Sequence, residues 1–181
     1  MEVSNPYDLK PGDQAPEFEL PEVGGGHISR ADFAGRPLVV AFWCNHCPYV
    51  HAYEDRVIAW AKDTIARGVG VLMVNSNDEV NYPEDSFDHM VKRAATKGYP
   101  FHYARDKDQS VATAYGGRCT PHFLLFDADH KLVYQGRFDD SKDDAGAVKE
   151  HYLPDAVDAL LAGAPQPRPH SWAIGCSIKW G

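Results

Sequence analysis

The sequence contains no apolar run long enough to cross a bilayer, no basic cluster, no internal repeat and no low-complexity segment. A spanning helix needs roughly 20 mostly apolar residues, so a membrane protein is not expected. Without basic clusters, and with a formal net charge of -8, the surface offers nucleic acid or an anionic membrane little to bind. The opening MEVSNPYDLKPGDQAPEFEL has early acids and prolines and no apolar block, which fits neither a secretory signal nor a transit peptide. A cytosolic location is expected. Cysteine is scarce: Cys44, Cys47, Cys119 and Cys176 are the four in 181 residues, too few for a disulfide scaffold. A reducing compartment also disfavours structural bridges. Each cysteine then needs either a chemical reason or a place as a small core residue.

What is present suits one soluble domain. The hydrophobic share of 44% and charged share of 24% are ordinary for such a domain, and the length can bury a good-sized core. Residues 1 to about 35 read as an irregular N-terminal extension, with PEFEL and HIS as short edge strands. PLVVAFW (37–43) reads as a strand buried on both faces. From Pro48, the spacing of Val50, Tyr53, Val57, Trp60 or Ala61, and Ile65 predicts an amphipathic helix closed by Gly68. VGVLMVN (69–75) is a second buried strand, and the resulting βαβ unit makes the two strands parallel. A capped helix from NYPED to Gly98, a strand FHYARD and a short helix DQSVATAYGG follow. TPHFLLFDADHKLVYQGRF predicts an antiparallel hairpin about Asp127–His130. A last helix is expected over roughly 145–162, with Val148, Tyr152, Val157, Leu160 and Leu161 as its stripe. The domain thus covers 1–164. Residues 165–181 form a Pro-rich tail whose Trp172, Ile174, Ile178 and Trp180 anchor it to the domain or serve as a lid or partner-binding patch.

The stretch AFWCNHCPYVHAYE places Cys44 at the end of a buried strand and Cys47 about one turn into a helix. The unpaired N–H groups and dipole of a helix N-terminus favour a thiolate. A free cysteine titrates near 8.5, and lowering that by about two units takes roughly 2.7 kcal/mol. The helix end and an imidazolium at His46 are the candidates to supply it. Cys44 is then the attacking thiolate, and Cys47 resolves the mixed disulfide. A zinc half-site is the competing reading, but no second C-x-x-C or H-x-x-x-H provides the other ligands. His51 is expected to be a surface or capping residue, and no metal or cofactor is expected. Pro121 follows Thr120 at the start of a strand, where proline cannot donate to the ladder; a cis Thr120–Pro121 bond would explain it. Cys119 is either a small core residue, or it pairs with Cys176 or serves as a third thiol in the cycle.

GDQAPEFEL, SRADFAGRPLVVAFWCNHCP and TPHFLLFDADHKLVYQGRFDD together resemble the thioredoxin-like superfamily, in its alkyl hydroperoxide reductase and thiol-specific antioxidant branch. The closing GCSIKW is similar to the ending of a bacterial subgroup of that branch. The resemblance implies a thioredoxin fold, a central mixed β-sheet flanked by helices. It implies Cys44 as nucleophile, Cys47 as resolving thiol, Thr120 offering its backbone to an extended substrate, Pro121 beside the disulfide, and Trp43 in the usual aromatic position. A thiol–disulfide oxidoreductase is expected, acting on a disulfide-containing protein or small molecule and re-reduced by a thiol reductant. Two departures matter. Leu38 stands where thioredoxin keeps a buried aspartate, which leaves Glu54 as the candidate to take a proton from Cys47. In the peroxidase pattern P-x-x-x-T-x-x-C, Pro37 fits but Ala41 replaces the threonine. Peroxide reduction through a Cys44 sulfenic acid therefore stands second. A redox-sensing or metal-binding module stands third.

Overall fold

The computed structural model describes residues 5–181; residues 1–4 of the N-terminal extension lie outside the described residues. Strands β1 (Glu19–Pro21) and β2 (His27–Ser29) pair antiparallel, the two edge strands expected of PEFEL and HIS. The apolar run forms β3 (Leu38–Phe42), and helix α1 (Pro48–Ala66) leads to β4 (Gly70–Asn75), parallel to β3. Helix α2 (Phe87–Lys97), β5 (His102–Arg105) and α3 (Ser110–Tyr115) follow. Next come β6 (Cys119–Thr120) and the antiparallel hairpin β7 (His122–Phe126) and β8 (Leu132–Gly136). Helix α4 (Tyr152–Leu161) and strand β9 (Cys176–Ser177) complete the chain. The central sheet runs β5-β4-β3-β7-β8, parallel through β5, β4 and β3 and antiparallel from β3 to β8. This is the expected mixed sheet flanked by helices.

Strand alternation explains the two cores. Successive side chains point to opposite faces. Val39 and Ala41 join Val50, Val57 and Ala61 of α1, Met90 of α2, and Leu153 and Val157 of α4. Leu38, Val40 and Phe42 join Val111 and Tyr115 of α3 and Phe18, Ile28 and Phe33 of the N-terminal extension. The sheet is thus covered on both faces, as an apolar strand run demands.

Proline sets several boundaries that periodicity misplaced. Cys47 is the N-cap of α1, not a residue within it, because Pro48 has no N–H and fits the first helical position. Pro83 sits in a 3-10 turn (Pro83–Asp85); Ser86 caps α2 by accepting from the His89 N–H at 3.4 Å, and Gly98 closes it at φ 65°. The last helix does not span 145–162. A 3-10 turn (Ala145–Ala147) precedes it, and α4 starts at Tyr152 because Pro154 is tolerated only in a first turn. Val148 is therefore outside the helix, and Leu153, Ala156 and Val157 form its buried face, with Leu161 exposed.

The tail also differs from expectation. Only Ile178 of its four apolar residues is buried, at 3% exposure, whereas Trp172, Ile174 and Trp180 are 55%, 47% and 53% exposed. Polar and covalent contacts hold the tail instead. Strand β9 pairs antiparallel with β6, setting Thr120 opposite Cys176. The Lys179 N–H donates to Asn77 Oδ1 at 2.8 Å, and Gln109 Nε2 donates to the Lys179 carbonyl at 2.9 Å. No helix among the described residues is long and apolar enough to cross a membrane.

Candidate active site

Cys44 and Cys47 lie between the C-terminal end of β3 and the first turn of α1. Both sulfurs touch the same residue of the facing segment: Cys44 Sγ is 3.5 Å from Thr120 Oγ1, and Cys47 Sγ is 3.4 Å from the Thr120 carbonyl oxygen. The Thr120–Pro121 peptide bond is cis. The sequence signals thus converge on one spot.

The sulfur pairing is not the expected one. Cys47 is bonded to Cys176, 129 residues away with Cα atoms 6.3 Å apart, and Cys44 is a free thiol. The reason is positional: β9 lies on β6 in a register that sets Cys176 opposite Thr120, beside the Cys47 sulfur. Cys119 is also a free thiol and does not pair with Cys176. Its Sγ points to the Pro121 carbonyl at 3.6 Å, and burial pushes its pKa up to about 12. It fits the description of a small core residue.

The electrostatics also reverse an expectation. Cys44 is not held as a low-pKa thiolate in this state. Burial first, and the Asp85 charge second, push it up to about 11, although the Thr120 hydroxyl and the backbone N–H groups of Cys47 and His46 pull the other way. His46 does sit at the site: its ring stacks on Tyr82 with centroids 5.6 Å apart and pairs with Asp85. Ligand-type atoms of Cys44, His46 and Asp85 all lie within 4.8 Å of one another. A neighbouring carboxylate offsets the help an imidazolium gives a thiolate.

Asp85 is the residue the sequence did not reveal. It is fully buried and accepts from the Asn45 N–H at 2.7 Å, Asn75 Nδ2 at 3.1 Å and Asn77 Nδ2 at 3.0 Å. In sequence it is one acid among several before the Ser86 cap, with no mark of burial. Asn45 is tied in again, through Tyr103, whose hydroxyl donates to Asn45 Oδ1 at 2.8 Å. His51 caps the turn by donating from Nε2 to the Asn45 carbonyl at 2.6 Å.

Two further expectations fail on contact. Trp43 is fully buried, its ring edge-on to Phe101 and Phe123 and its indole N–H donating to Tyr99 Oη at 3.2 Å. As a core residue it offers no surface to a substrate. Glu54 is buried too, but burial, which would raise its pKa, is outweighed by hydrogen bonds from Arg93 and Tyr99 and the charges of Arg93 and Lys97. A carboxylate held below its ordinary range is a poor acceptor for the Cys47 proton. Thr120, 2% exposed, keeps its place at the centre, with its backbone taken by β9.

Comparison with known proteins agrees with this architecture. A 41% identical structure of a conserved protein from Geobacillus kaustophilus superposes with a TM-score of 0.90, covering 99% of this chain and 98% of that one. A hypothetical protein from Sinorhizobium meliloti 1021 does so at 38% identity and TM-score 0.90, covering 96% of each chain. Thiol-disulfide oxidoreductase ResA of Halalkalibacterium halodurans is 27% identical over 122 residues, which are 67% of this chain and 65% of ResA, just under two thirds of that relative's length. The model of the AhpC/TSA family matches residues 11–135, from the N-terminal extension through the hairpin. With a thioredoxin fold and the cysteine-bearing loop inside that match, the chain belongs to the AhpC/TSA family.

Proposed function

We propose that the protein is a thiol–disulfide oxidoreductase whose chemistry begins at Cys44. The observation that supports this most directly is the meeting of Cys44, Cys47 and Cys176 at Thr120, where a free thiol lies at the hydroxyl and a disulfide at the carbonyl of one residue. In the reading we favour, Cys44 loses its proton and attacks one sulfur of a substrate disulfide, and the other sulfur leaves as a thiolate. Reduced Cys47 then attacks the Cys44 sulfur, releasing the second substrate thiol and closing a Cys44–Cys47 bridge. The substrate gains two electrons, and a thiol reductant returns them to the protein. His46, anchored by Asp85 and within 4.8 Å of the Cys44 sulfur, is positioned to take the Cys44 proton. The cycle needs no metal or organic cofactor, and it suits the reducing cytosol. The name of ResA supports the same activity.

Peroxide reduction stands second. Pro37 keeps one element of the peroxidase pattern, but Ala41 at the threonine position is a buried β3 residue with no hydroxyl to hold a peroxide. The test is stopped-flow mixing of fully reduced protein with a small disulfide and, separately, with hydrogen peroxide. Disulfide exchange should outrun that of a free thiol and vanish in Cys44→Ser. Fast oxidation by peroxide with slow disulfide exchange would reverse the order of the two readings.

A further inference from the structure

The two-residue strand β9 is placed where an extended substrate would lie if Thr120 offers its backbone. It runs antiparallel to β6 with Cys176 facing Thr120, and it carries a cysteine already bonded to the active-site loop. Two neighbouring positions fit that edge closely. Gly175 lies flat on it: a Cβ there would stand 2.1 Å from the Thr120 carbonyl oxygen and 3.1 Å from the Pro121 nitrogen, both unyielding backbone. Ile174, 47% exposed, lines with Tyr49, Tyr53, Arg137, Asp140 and Lys142 a cleft of roughly 190 Å³ beside the first turns of α1. Extended backbone on a sheet edge, with side chains in flanking pockets, is a recurrent way of binding a peptide.

We infer that the tail is an intramolecular substrate segment and that Cys176 is a third redox-active thiol, exchanging with Cys44 for the sulfur of Cys47. This rests on the oxidoreductase reading and adds the tail to its cycle. The Cys44 thiolate attacks Cys47 Sγ; the Cys47–Cys176 bond breaks, the Cys44–Cys47 bond forms, and Cys176 leaves as a thiolate that takes up one proton. Bonds and electrons balance without an added oxidant or reductant. The tail is then free to leave the Thr120 edge, and an extended peptide can take its place. While docked, a tethered segment competes at an effective concentration of about millimolar. The same geometry names a specificity: a peptide bound in this register carries glycine immediately before its cysteine, because no Cβ fits against Thr120.

The first experiment uses the wild-type protein. Reduced protein is oxidised with one equivalent of a small disulfide, quenched with an alkylating agent, and mapped by mass spectrometry without reduction. Both the Cys44–Cys47 and the Cys47–Cys176 peptides should appear; Cys176→Ser should show only the former, and Cys44→Ser, mapped as purified without prior reduction, only the latter. The second experiment uses Gly175→Val, which cannot seat the tail. It should lose the Cys47–Cys176 peptide and lower KM for a Gly-Cys-containing peptide disulfide by about tenfold. Its reduction of the small disulfide should stay within about twofold of wild type. If wild-type protein exchanges rapidly but Cys176 is alkylated throughout and never bridged, the inference falls and the oxidoreductase reading stands. If the Cys47–Cys176 bridge forms but neither disulfide is reduced faster than by a free thiol, the oxidoreductase reading falls and takes the exchange step with it.

Discussion

Asp85→Ala will destabilise the fold by about 3–5 kcal/mol, the usual cost of removing one partner of a buried, hydrogen-bonded charge. The carboxylate is fully buried and holds the Asn45 N–H, the side-chain amides of Asn75 and Asn77, and the His46 ring. Alanine leaves the Asn45 N–H and the Asn77 amide without this buried acceptor and the Asn75 amide with only Tyr103 Oη at 3.2 Å, while the partly exposed His46 ring loses its carboxylate partner. The cost should appear as a lower urea midpoint with an unchanged slope. Asp85→Asn keeps an acceptor and most of the packing but removes the charge, and it separates structure from chemistry. With that charge gone, the Cys44 thiol should titrate lower than in wild type, because Asp85 is the second largest contribution to its rise. Ultraviolet absorbance of the thiolate against pH, compared between Asp85→Asn and wild type, reads this directly. An unchanged Cys44 titration would mean that burial alone sets its acidity.

Lowering the pH from neutrality will weaken the protein through His122, by about 3 kcal/mol once fully expressed. The imidazole is buried on β7 and stacked on Tyr7 with centroids 5.0 Å apart. Its two nitrogens are committed to the neutral form: Nδ1 accepts from the Arg118 N–H and Nε2 donates to Gln135 Oε1, each at 3.2 Å. Burial is the largest reason that its pKa falls from 6.5 to about 4, with the Gln135 hydrogen bond pulling the other way and the Arg118 charge adding to the fall. Between those two values the unfolded chain holds a proton on this residue and the folded chain does not, so acid favours unfolding. The contribution is intact above pH 6.5, declines as pH falls, and is lost below about 4. Urea unfolding at several pH values should show a slope that flattens in His122→Gln. If that variant keeps the wild-type slope, other groups carry the acid sensitivity.

Much of this molecule was legible locally. The parallel β3–α1–β4 unit, the α2 and α3 helices, the β7–β8 hairpin and the cis bond at Thr120–Pro121 all follow from apolar spacing and from the placement of proline and glycine. These are properties of neighbouring residues; that Cys44, Cys47, Thr120 and Pro121 share one site was what the resemblance to the thioredoxin-like superfamily implied. Local signals also misled where proline outweighed periodicity. Pro48 kept Cys47 outside α1, and Pro154 cut away the first turns expected of the last helix.

Sequence alone therefore determined the fold class and the address of the reactive loop. Tertiary structure decided which sulfur partners which, and what charge surrounds the thiol. Cys176 reaches Cys47 across 129 residues because β9 docks on β6, and a pairing that distant leaves no periodic trace near either cysteine. Asp85 acquires its role by being buried between the Cys44 loop and the end of β4, where its three amide donors come from separate positions along the chain. Burial and charge proximity are sums over the whole packed molecule. That is why the sequence placed Cys44 as the reactive thiol, but only the fold brought the burial and the Asp85 charge that push its pKa up while Cys47 is bonded to Cys176.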